Sequence, residues 1–403
     1  MSAARSAPRR GPAALTFAVA VALVAGVTLG NGGANVMPVF VDDFASRFAL
    51  SDSTAGLVAA TQLTATAIVT LLLAGRAARP GRVRMARLGL GIAAAGFLGA
   101  TAAADVPTLI LANLVLGAGL GAVYAAATAA LAATDDADKA SAITISGVVG
   151  VTALLIMAVP QANHGMGEGT GFLLMAACCL VAWPLVRRLP DGPAAPGTPS
   201  VRTPDEPAAR PSVNLLAGTA LLWAVTQGAW SYASVLGRQH TGMSHSAVSA
   251  VLAVSSVVAL VGAVVGPTAA RRFGRRRSMA AFVGAQALAM AVLIFTHDPV
   301  LFMVAAVLWQ SCQLAVLVQT LAAAALIDPT GRLVASLSGA GALGTGIGPL
   351  AVGAVLDGAG AGALSLVLAF GTFVASMPLL RMTVAGDSIP GEPEPEPAPS
   401  PVA

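Results

Sequence analysis

The sequence predicts an all-α membrane protein with twelve transmembrane helices in two sets of six. Of its 403 residues, 56% are hydrophobic and 10% are charged, whereas a soluble domain carries roughly 25% charged residues. The mean hydropathy of +0.81 excludes a water-soluble globule, because the outer surface must be apolar as well as the core. Apolar stretches of about 20 residues, the length that an α-helix needs to cross a bilayer, recur along the whole chain.

Turns and charged residues divide these stretches into twelve predicted spans. The first follows three arginines, as the apolar part of a signal peptide would, but its apolar run is too long for a cleaved signal. We therefore interpret it as an uncleaved first span. The predicted spans cover residues 13–40, 53–75, 85–104, 107–131, 141–160, 170–186, 213–236, 246–268, 279–296, 299–326, 334–356 and 362–381.

Lysine and arginine residues are distributed unevenly between the two sides of the predicted membrane. Twenty of the 22 fall on one side, and Arg47 and Arg238 alone fall on the other, which is called the arginine-poor side below. The positive-inside rule places the arginine-rich side and both termini in the cytoplasm. The sequence pI of about 9.5 therefore reflects membrane topology, and we expect no nucleic-acid partner.

A proline-rich segment separates the two sets of spans. It holds seven prolines over 22 residues, and proline disrupts the interiors of helices and sheets, so the segment is predicted to be a linker. The end of the chain is a Pro/Glu tail that we expect to be extended and disordered. The predicted organisation is a cytoplasmic tail at 1–12, six helices at 13–189, the linker at 190–211, six helices at 212–382 and the tail at 383–403.

A short arginine-rich loop occurs twice, at an offset of 193 residues. Residues 266–277 carry five arginines between two apolar segments, and such a loop cannot lie in hydrocarbon. At this offset Gly81 aligns with Gly274 and Arg82 aligns with Arg275. The shared register indicates one structural unit used twice.

With these loops, the twelve spans and the central linker, the chain resembles the major facilitator superfamily over essentially its whole length. The loops are similar to the family motif G-x-x-x-D-R-x-G-R-R. The resemblance implies two six-helix bundles related by a pseudo-twofold axis, with a substrate cavity between them at mid-membrane depth. The positions that match the motif are Gly75, Gly81, Arg82, Arg272, Gly274, Arg275 and Arg276.

The chain departs from the family pattern at two charged positions. Arg271 stands where the family has an aspartate that takes part in a cytoplasmic charge lock, and the first loop also lacks that aspartate. In the fourth span, Asn113 stands where the family has an arginine associated with proton coupling. The segment Gly339–Pro349 resembles the glycine-proline hinge helix of exporters in this superfamily, although close packing through small residues explains it equally well.

The chain contains no motif for ATP hydrolysis or for enzymatic catalysis. The patterns G-x-x-x-x-G-K-[ST], H-E-x-x-H, C-x-x-C and G-x-S-x-G do not occur. The three cysteines lie in apolar segments without metal-ligand spacing, which favours a packing role. We therefore expect no enzyme activity, no cofactor and no bound metal, but a carrier driven by an ion gradient.

Proton coupling usually requires a carboxylate whose pKa responds to burial or to substrate. No carboxylate lies in the middle of a predicted span; Asp42 and Asp43 lie at the outer end of the first, and Asp357 at the outer end of the eleventh. Each could equally be an exposed residue at a helix end, and Asp43 could pair with Arg47 four residues later. Asp42 and Asp43 are the first candidates for proton coupling, and Asp357 is the next.

Neutral polar and aromatic side chains are the candidates for substrate contact. Asn31 and Asn35 share one helix face, and so do Trp223, Gln227 and Trp230. The family resemblance places the spans that carry these residues around the cavity, although amides in a membrane can also simply bond to neighbouring helices. The predicted cavity residues are Asn31, Asn35, Gln62, Asn113, Tyr124, Trp223, Gln227, Trp230, Trp309, Gln310 and Gln313.

These features predict a gradient-driven, proton-coupled exporter of small organic molecules that works by alternating access of the two bundles. A cavity with amides, aromatic rings and no central charge suits neutral or amphipathic compounds better than strong anions. The alternatives are a proton symporter that takes up a small organic nutrient, and a non-transporting sensor or scaffold. We expect a monomer in the cytoplasmic membrane, whose partners are the small-molecule substrate and membrane lipid.

Overall fold

A computed structural model describes residues 13–192, 212–328 and 332–387. These ranges are helical apart from connecting loops, a short 3-10 turn and one isolated bridge between Ala13 and Thr134. The predicted N-terminal tail and most of the predicted linker and C-terminal tail lie outside the described residues. The helices are α1 (Phe17–Gly30), α2 (Gly32–Asn35), α3 (Met37–Phe48), α4 (Asp52–Ala77), α5 (Arg82–Ala102), α6 (Val106–Leu131), α7 (Ala137–Met166), α8 (Thr170–Leu185), α9 (Val213–Thr241), α10 (His245–Val258), α11 (Leu260–Phe273), α12 (Arg275–Phe295), α13 (Pro299–Ile327) and α14 (Arg332–Asp387).

In the described ranges, nine helical segments are long and apolar enough to cross a membrane, compared with twelve predicted spans. The first predicted span is divided into α1, α2 and α3, each of which is too short by itself. The seventh corresponds to α9, whose polar residues make it less apolar. The eleventh and twelfth are both contained in α14, where Gly360 has the non-helical angles φ 75° and ψ 179°. The protein is thus a multi-pass helical membrane protein, and the number twelve stays a prediction.

The C-terminal helix extends further than the sequence analysis expected. The tail was predicted to begin at residue 383, but α14 continues to Asp387. After Pro378, which lies inside the helix, the next proline is Pro390, so no proline removes a backbone donor between residues 379 and 387.

The helices pack as two bundles. In the first, α6 contacts α1, α4 and α5; in the second, α13 contacts α10, α11 and α12, and α14 contacts α9 and α12. The bundles meet where α4 packs on α14, α3 on α9 and α7 on α10. The first and last of these contacts are equivalent when the two halves of the chain are exchanged, as the predicted repeat requires.

Small residues allow the helices within a bundle to approach closely. A side chain at Gly96 of α5 would overlap the backbone of Leu116 in α6. Membrane helices commonly pack in this way, because lipid provides no hydrophobic force that would drive helices together. In contrast, Gly150 of α7 has open space around its Cα atom.

We predict that Gly96→Ala destabilises the folded protein, because the added methyl group must displace backbone. Overpacking of this kind costs about 1–3 kcal/mol, and the thermal unfolding temperature in detergent should fall accordingly. The matched control is Gly150→Ala, which fills open space and removes a flexible residue from a helix, so it should be neutral or slightly stabilising. Equal unfolding temperatures for the two variants would contradict this account of the α5–α6 contact.

Candidate substrate and coupling site

The first predicted span is interrupted halfway along its length. Asn31 and Val36 flank the single turn of α2, and both have φ of −96° with ψ near zero. Pro38 follows at once and has no N–H group, so it cannot donate to the carbonyl of Ala34 four residues earlier. The backbone hydrogen-bond ladder is therefore open at this position.

A second carbonyl is freed by the same break. The N–H of Val39 donates to the carbonyl of Val36 at 3.1 Å and not to Asn35, which is its normal partner in an α-helix. Backbone groups at membrane depth require partners, because hydrocarbon offers no hydrogen bonds. The carbonyls of Ala34 and Asn35 must therefore find donors outside their own helix.

Both donors come from α9 in the other bundle. The amide nitrogen Nε2 of Gln227 donates to the Ala34 carbonyl at 3.0 Å, and the indole Nε1 of Trp230 donates to the Asn35 carbonyl at 3.1 Å. The Trp230 ring also makes an edge contact with Trp309 of α13, with 6.1 Å between ring centroids. In this conformation Gln227 and Trp230, two of the three residues of the predicted α9 stripe, thus pair with the backbone of the first helix.

A cluster of charged and polar groups lies closer to the arginine-poor surface. Asp42 of α3 is 5% exposed, and its carboxylate is shared by three residues of the other bundle. Arg238 donates through Nε at 3.0 Å and through Nη2 as well. Nδ1 of His245 lies 2.9 Å from Oδ2, and the Ser234 hydroxyl lies 3.4 Å from the same oxygen.

The orientation of α3 follows from its apolar face. Phe40 and Phe44 stack on Phe172 of α8, with centroid distances of 4.7 and 5.8 Å. Asp42 lies two residues from each phenylalanine, so the helical period turns it to the opposite face. Packing in the first bundle thereby directs this carboxylate at α9.

Asp43 faces α7 and not the second bundle. It is 9% exposed and accepts a hydrogen bond from the amide of Asn163 in α7 at 2.7 Å. The expected exposed pair with Arg47 is wrong, because the Arg47 guanidinium instead donates to the carbonyls of Ala100 and Thr101, both at 2.9 Å, and to that of Ala103. The last carbonyls of a helix lack intrahelical partners, and a cation near them is stabilised.

Asp357 joins the two bundles at the surface. It is exposed, and its two carboxylate oxygens accept hydrogen bonds from the N–H groups of Asp52 and Ser53, at 3.0 and 2.8 Å. It thus caps the N-terminus of α4 from the opposite bundle, where a negative charge is favourable. The hydroxyl of Tyr232 donates to the Asp52 carbonyl beside it.

The predicted cavity residues separate into two groups. Three are fully buried: Asn113, whose amide bonds to the Leu109 carbonyl of its own helix at 2.9 Å, and Gln62 and Trp309. Gln62 packs against Gly33, and its two amide atoms have no hydrogen-bond partner among the described residues. The half-buried members are Asn31, Asn35, Tyr124, Trp223, Gln310 and Gln313, and the remaining two, Gln227 and Trp230, are buried at the contact with the first helix.

Some of these half-buried residues contact each other or another helix of their own bundle. Asn31 donates to Asn35 at 3.0 Å, and Asn35 donates to the Thr152 hydroxyl of α7 at 3.2 Å. Trp223 lies against Gly341 of α14. The carbonyl oxygen of the Gln313 amide is buried and unpartnered within the described chain, so it remains available to a substrate donor.

Two cavities lie away from this set of residues. One of about 830 Å³ lies among α1, α7 and α8, and one of about 650 Å³ lies among α9, the end of α13 and α14. They occupy equivalent positions in the two halves, between the first, fifth and sixth spans of each. Among the described residues, their walls include none of the predicted cavity residues.

The two arginine-rich loops differ in their surroundings. Arg82 is 1% exposed and donates to the carbonyls of Pro190 and Gly192, at 3.1 and 2.8 Å. The carboxylate of Asp191 accepts from the N–H groups of Gly81 and Arg82, both at 2.7 Å. The first loop therefore binds the start of the linker.

The second loop follows a different pattern. Gly274 has a φ of 84°, and Arg272 and Arg276 are exposed. The guanidinium of Arg272 lies 5.4 Å from the ring centroid of Phe273. Gly75, the remaining motif position, is an exposed residue within α4.

Sequence reasoning missed the partners of Asp42. Arg238, His245 and Ser234 were not among the candidates, although one signal was present. Arg238 is one of two arginines on the arginine-poor side, where the sequence has no lysine, and a lone cation there is a natural partner for a nearby carboxylate.

Comparison with known proteins gives the family. The sequence model of the Major Facilitator Superfamily matches residues 22–328. The fold is similar to the nucleoside transporter NupG, with a TM-score of 0.73, 14% identity and coverage of 91% of this chain and 100% of that one. It is also similar to a peptide transporter POT in complex with sulfate, with a TM-score of 0.73, 12% identity and coverage of 94% of this chain and 97% of that one. A third similar structure is a bacterial homolog of the human lysosomal transporter Spinster in an inward-facing, unoccupied conformation. Its TM-score is 0.66, its identity is 19%, and the match covers 91% of this chain and 93% of that one. Comparison with curated proteins gave no match.

We predict that Asp357→Ala separates the bundles at the arginine-poor surface, because it removes both acceptors that cap α4. Loss of a helix cap costs about 0.5–2 kcal/mol, which should enlarge the separated population. Spin labels at Ala104→Cys and Ser246→Cys, with the three native cysteines replaced by alanine, would report this distance by pulsed electron paramagnetic resonance.

The matched control is Asp298→Ala. Asp298 likewise accepts from two N–H groups, those of Val300 and Leu301, but within its own bundle. The Asp298→Ala variant should leave the distance distribution unchanged. The same shift in both variants would contradict the prediction, because it would show that the loss of any helix cap, and not of the contact between bundles, changes the distance.

Proposed function

The chain belongs to the major facilitator superfamily, and we propose that it is a secondary transporter that exports small, weakly polar organic molecules in exchange for protons. The arginine-rich side then faces the cytoplasm, with both termini, and the arginine-poor side faces outwards. The contacts of α3, α4, α9 and α14 close the outer side. Alternating access requires these contacts to break and re-form.

The observation that supports proton coupling is the position of Asp42. It is a buried carboxylate whose three polar partners all belong to the other bundle. Ionised, it attracts Arg238 in a surrounding of low dielectric, where charge-assisted hydrogen bonds are strong. Protonation removes that attraction, so the charge of Asp42 is linked to closure of the outer side.

This linkage suits exchange of substrate for protons. Asp42 meets outer water when the bundles separate on that side, which is also the state in which an exporter releases its substrate. While Asp42 is ionised and paired with Arg238, this ion pair holds the empty carrier closed on its outer side, which limits cycling without substrate or proton. The ion pair is called the charged latch below. Asp43 and Asp357 remain the second and third candidates for the coupling carboxylate.

The substrate class is inferred from the half-buried residues. Asn31, Asn35, Gln310 and Gln313 offer neutral donors and acceptors, while Tyr124 and Trp223 offer aromatic surface. Such groups orient a ligand through a few hydrogen bonds within an apolar surrounding. A neutral or amphipathic organic molecule is therefore the proposed cargo.

The alternative is a proton symporter that takes up a small organic nutrient. It is favoured by the structural neighbours, two of which are named as nucleoside and peptide transporters. A screen of compounds on cells with and without the protein, followed by flux in right-side-out and inside-out vesicles, decides between the two. Proton-driven accumulation in inside-out vesicles supports export, and accumulation in right-side-out vesicles alone supports uptake.

We predict that Asp42→Asn abolishes transport driven by a pH gradient but retains substrate exchange without a gradient. The amide keeps the size and some hydrogen bonds of the carboxylate while losing its proton and charge. Flux in proteoliposomes would be measured in both modes, with Asp298→Asn as the control. If Asp42→Asn and Asp43→Asn, alone and together, leave gradient-driven flux intact, coupling lies elsewhere.

We also predict that Gln313→Leu alters the relative transport of different substrates. Its amide oxygen is buried without a partner among the described residues, and its loss should reduce the transport of hydrogen-bond donors about fivefold, the value of a typical net hydrogen bond. The control is Gln286→Leu, a buried glutamine on α12 outside the predicted cavity set. An unchanged substrate profile for Gln313→Leu at normal expression would remove Gln313 from the site.

A further inference from the structure

We infer that Pro38 is a positioning residue for the transport cycle, because it reserves the backbone carbonyl of Ala34 for Gln227 of the opposite bundle. The inference rests on the proposed alternating-access function. Pro38 itself contacts neither the substrate nor the proton that is transported. It acts on the transport cycle through the backbone carbonyl of Ala34.

The geometry separates Pro38 from its neighbours in the break. In a regular helix, the N–H of residue 38 would donate to the Ala34 carbonyl. Proline has no such N–H, and the Gln227 amide occupies the carbonyl at 3.0 Å. The adjacent pair, Trp230 with the Asn35 carbonyl, involves a different backbone donor of the same break, because the N–H of Val39 is present but donates to Val36.

This arrangement makes one backbone hydrogen bond depend on the state of the transporter. A carbonyl bonded within its own helix would be satisfied whether the bundles are closed or open, and Gln227 would gain nothing by approaching it. Without the helical donor, the carbonyl is satisfied by Gln227 when the outer side is closed and must be hydrated when it is open. The bond therefore favours closure, by about fivefold in population for a typical net hydrogen bond.

The position of the pair suits such a role. Ala34 lies eight residues before Asp42 along the first helix, which corresponds to roughly 12 Å of depth at 1.5 Å per residue. The charged latch at Asp42 and the backbone pair at Ala34 are thus two separate layers of the same closure. The inner layer carries no titratable group of its own, so a change of charge at Asp42 leaves it intact.

The test is Pro38→Ala, which restores the missing N–H. We expect the outer-open population to rise about fivefold, measured by pulsed electron paramagnetic resonance between labels at Ala104→Cys and Ser246→Cys in proteoliposomes. Gln227→Met, which removes the donor at similar size, should give the same rise. The proline control is Pro184→Ala, near the C-terminal end of α8, which should leave the outer-open population unchanged.

Additivity identifies the route by which Pro38 acts. Pro38→Ala combined with Gln227→Met should open the outer side no more than either change alone, because both remove the same bond. Combined with Trp230→Phe, its effect should be additive, because that variant removes the neighbouring pair. A role of Pro38 in general helix stability would not produce this difference.

Three results would overturn the inference: an unchanged distance with Pro38→Ala, full additivity with Gln227→Met, or an equal shift with Pro184→Ala. If Pro38→Ala does not fold, Gln227→Met alone still tests it, since an unchanged distance there would mean that the carbonyl pair does not favour closure. The distances are measured without substrate or gradient. A failed transport assay would therefore count against the proposed function and not against this inference.

Discussion

Two backbone carbonyls of the first helix, those of Ala34 and Asn35, are satisfied by side chains of the other bundle. An unpaired backbone group in hydrocarbon costs several kcal/mol, so the carbonyls at the break need partners in every state of the protein. In this conformation Gln227 and Trp230 of α9 are those partners, and separation of the bundles would leave the carbonyls to water. The contact between the bundles follows from a defect in one helix as much as from the fit of two surfaces.

The polar contacts between bundles that the described residues show are concentrated on the arginine-poor side. Asp42, Asp357 and Tyr232 add charged and neutral hydrogen bonds above the carbonyl pairs. On the opposite side, Arg271 occupies the position of the aspartate that serves the family as a cytoplasmic lock, and Arg82 is engaged with the start of the linker. The distribution of polar bonds thus favours closure on one side.

Several residues show where sequence reasoning reached its limit. The helical period correctly placed Gln227 and Trp230 on one face of α9, but whether that face meets substrate or backbone depends on a neighbour 193 or 195 residues away. Likewise, Asp42 and Asp43 are adjacent in sequence, yet α3 directs one at α9 and the other at α7. Burial by distant helices decided the role of each, and no local pattern encodes it.

The sequence by itself determined the membrane environment, the helical architecture, the uneven charge of the two sides and the internal repeat, because hydropathy and charge act on each segment independently. It also indicated the family, through motifs that are local. The tertiary structure decided which helices are interrupted, which carboxylate bridges the bundles and which amides are occupied. These depend on contacts between residues far apart in the chain, and such contacts exist only once the two halves have packed together.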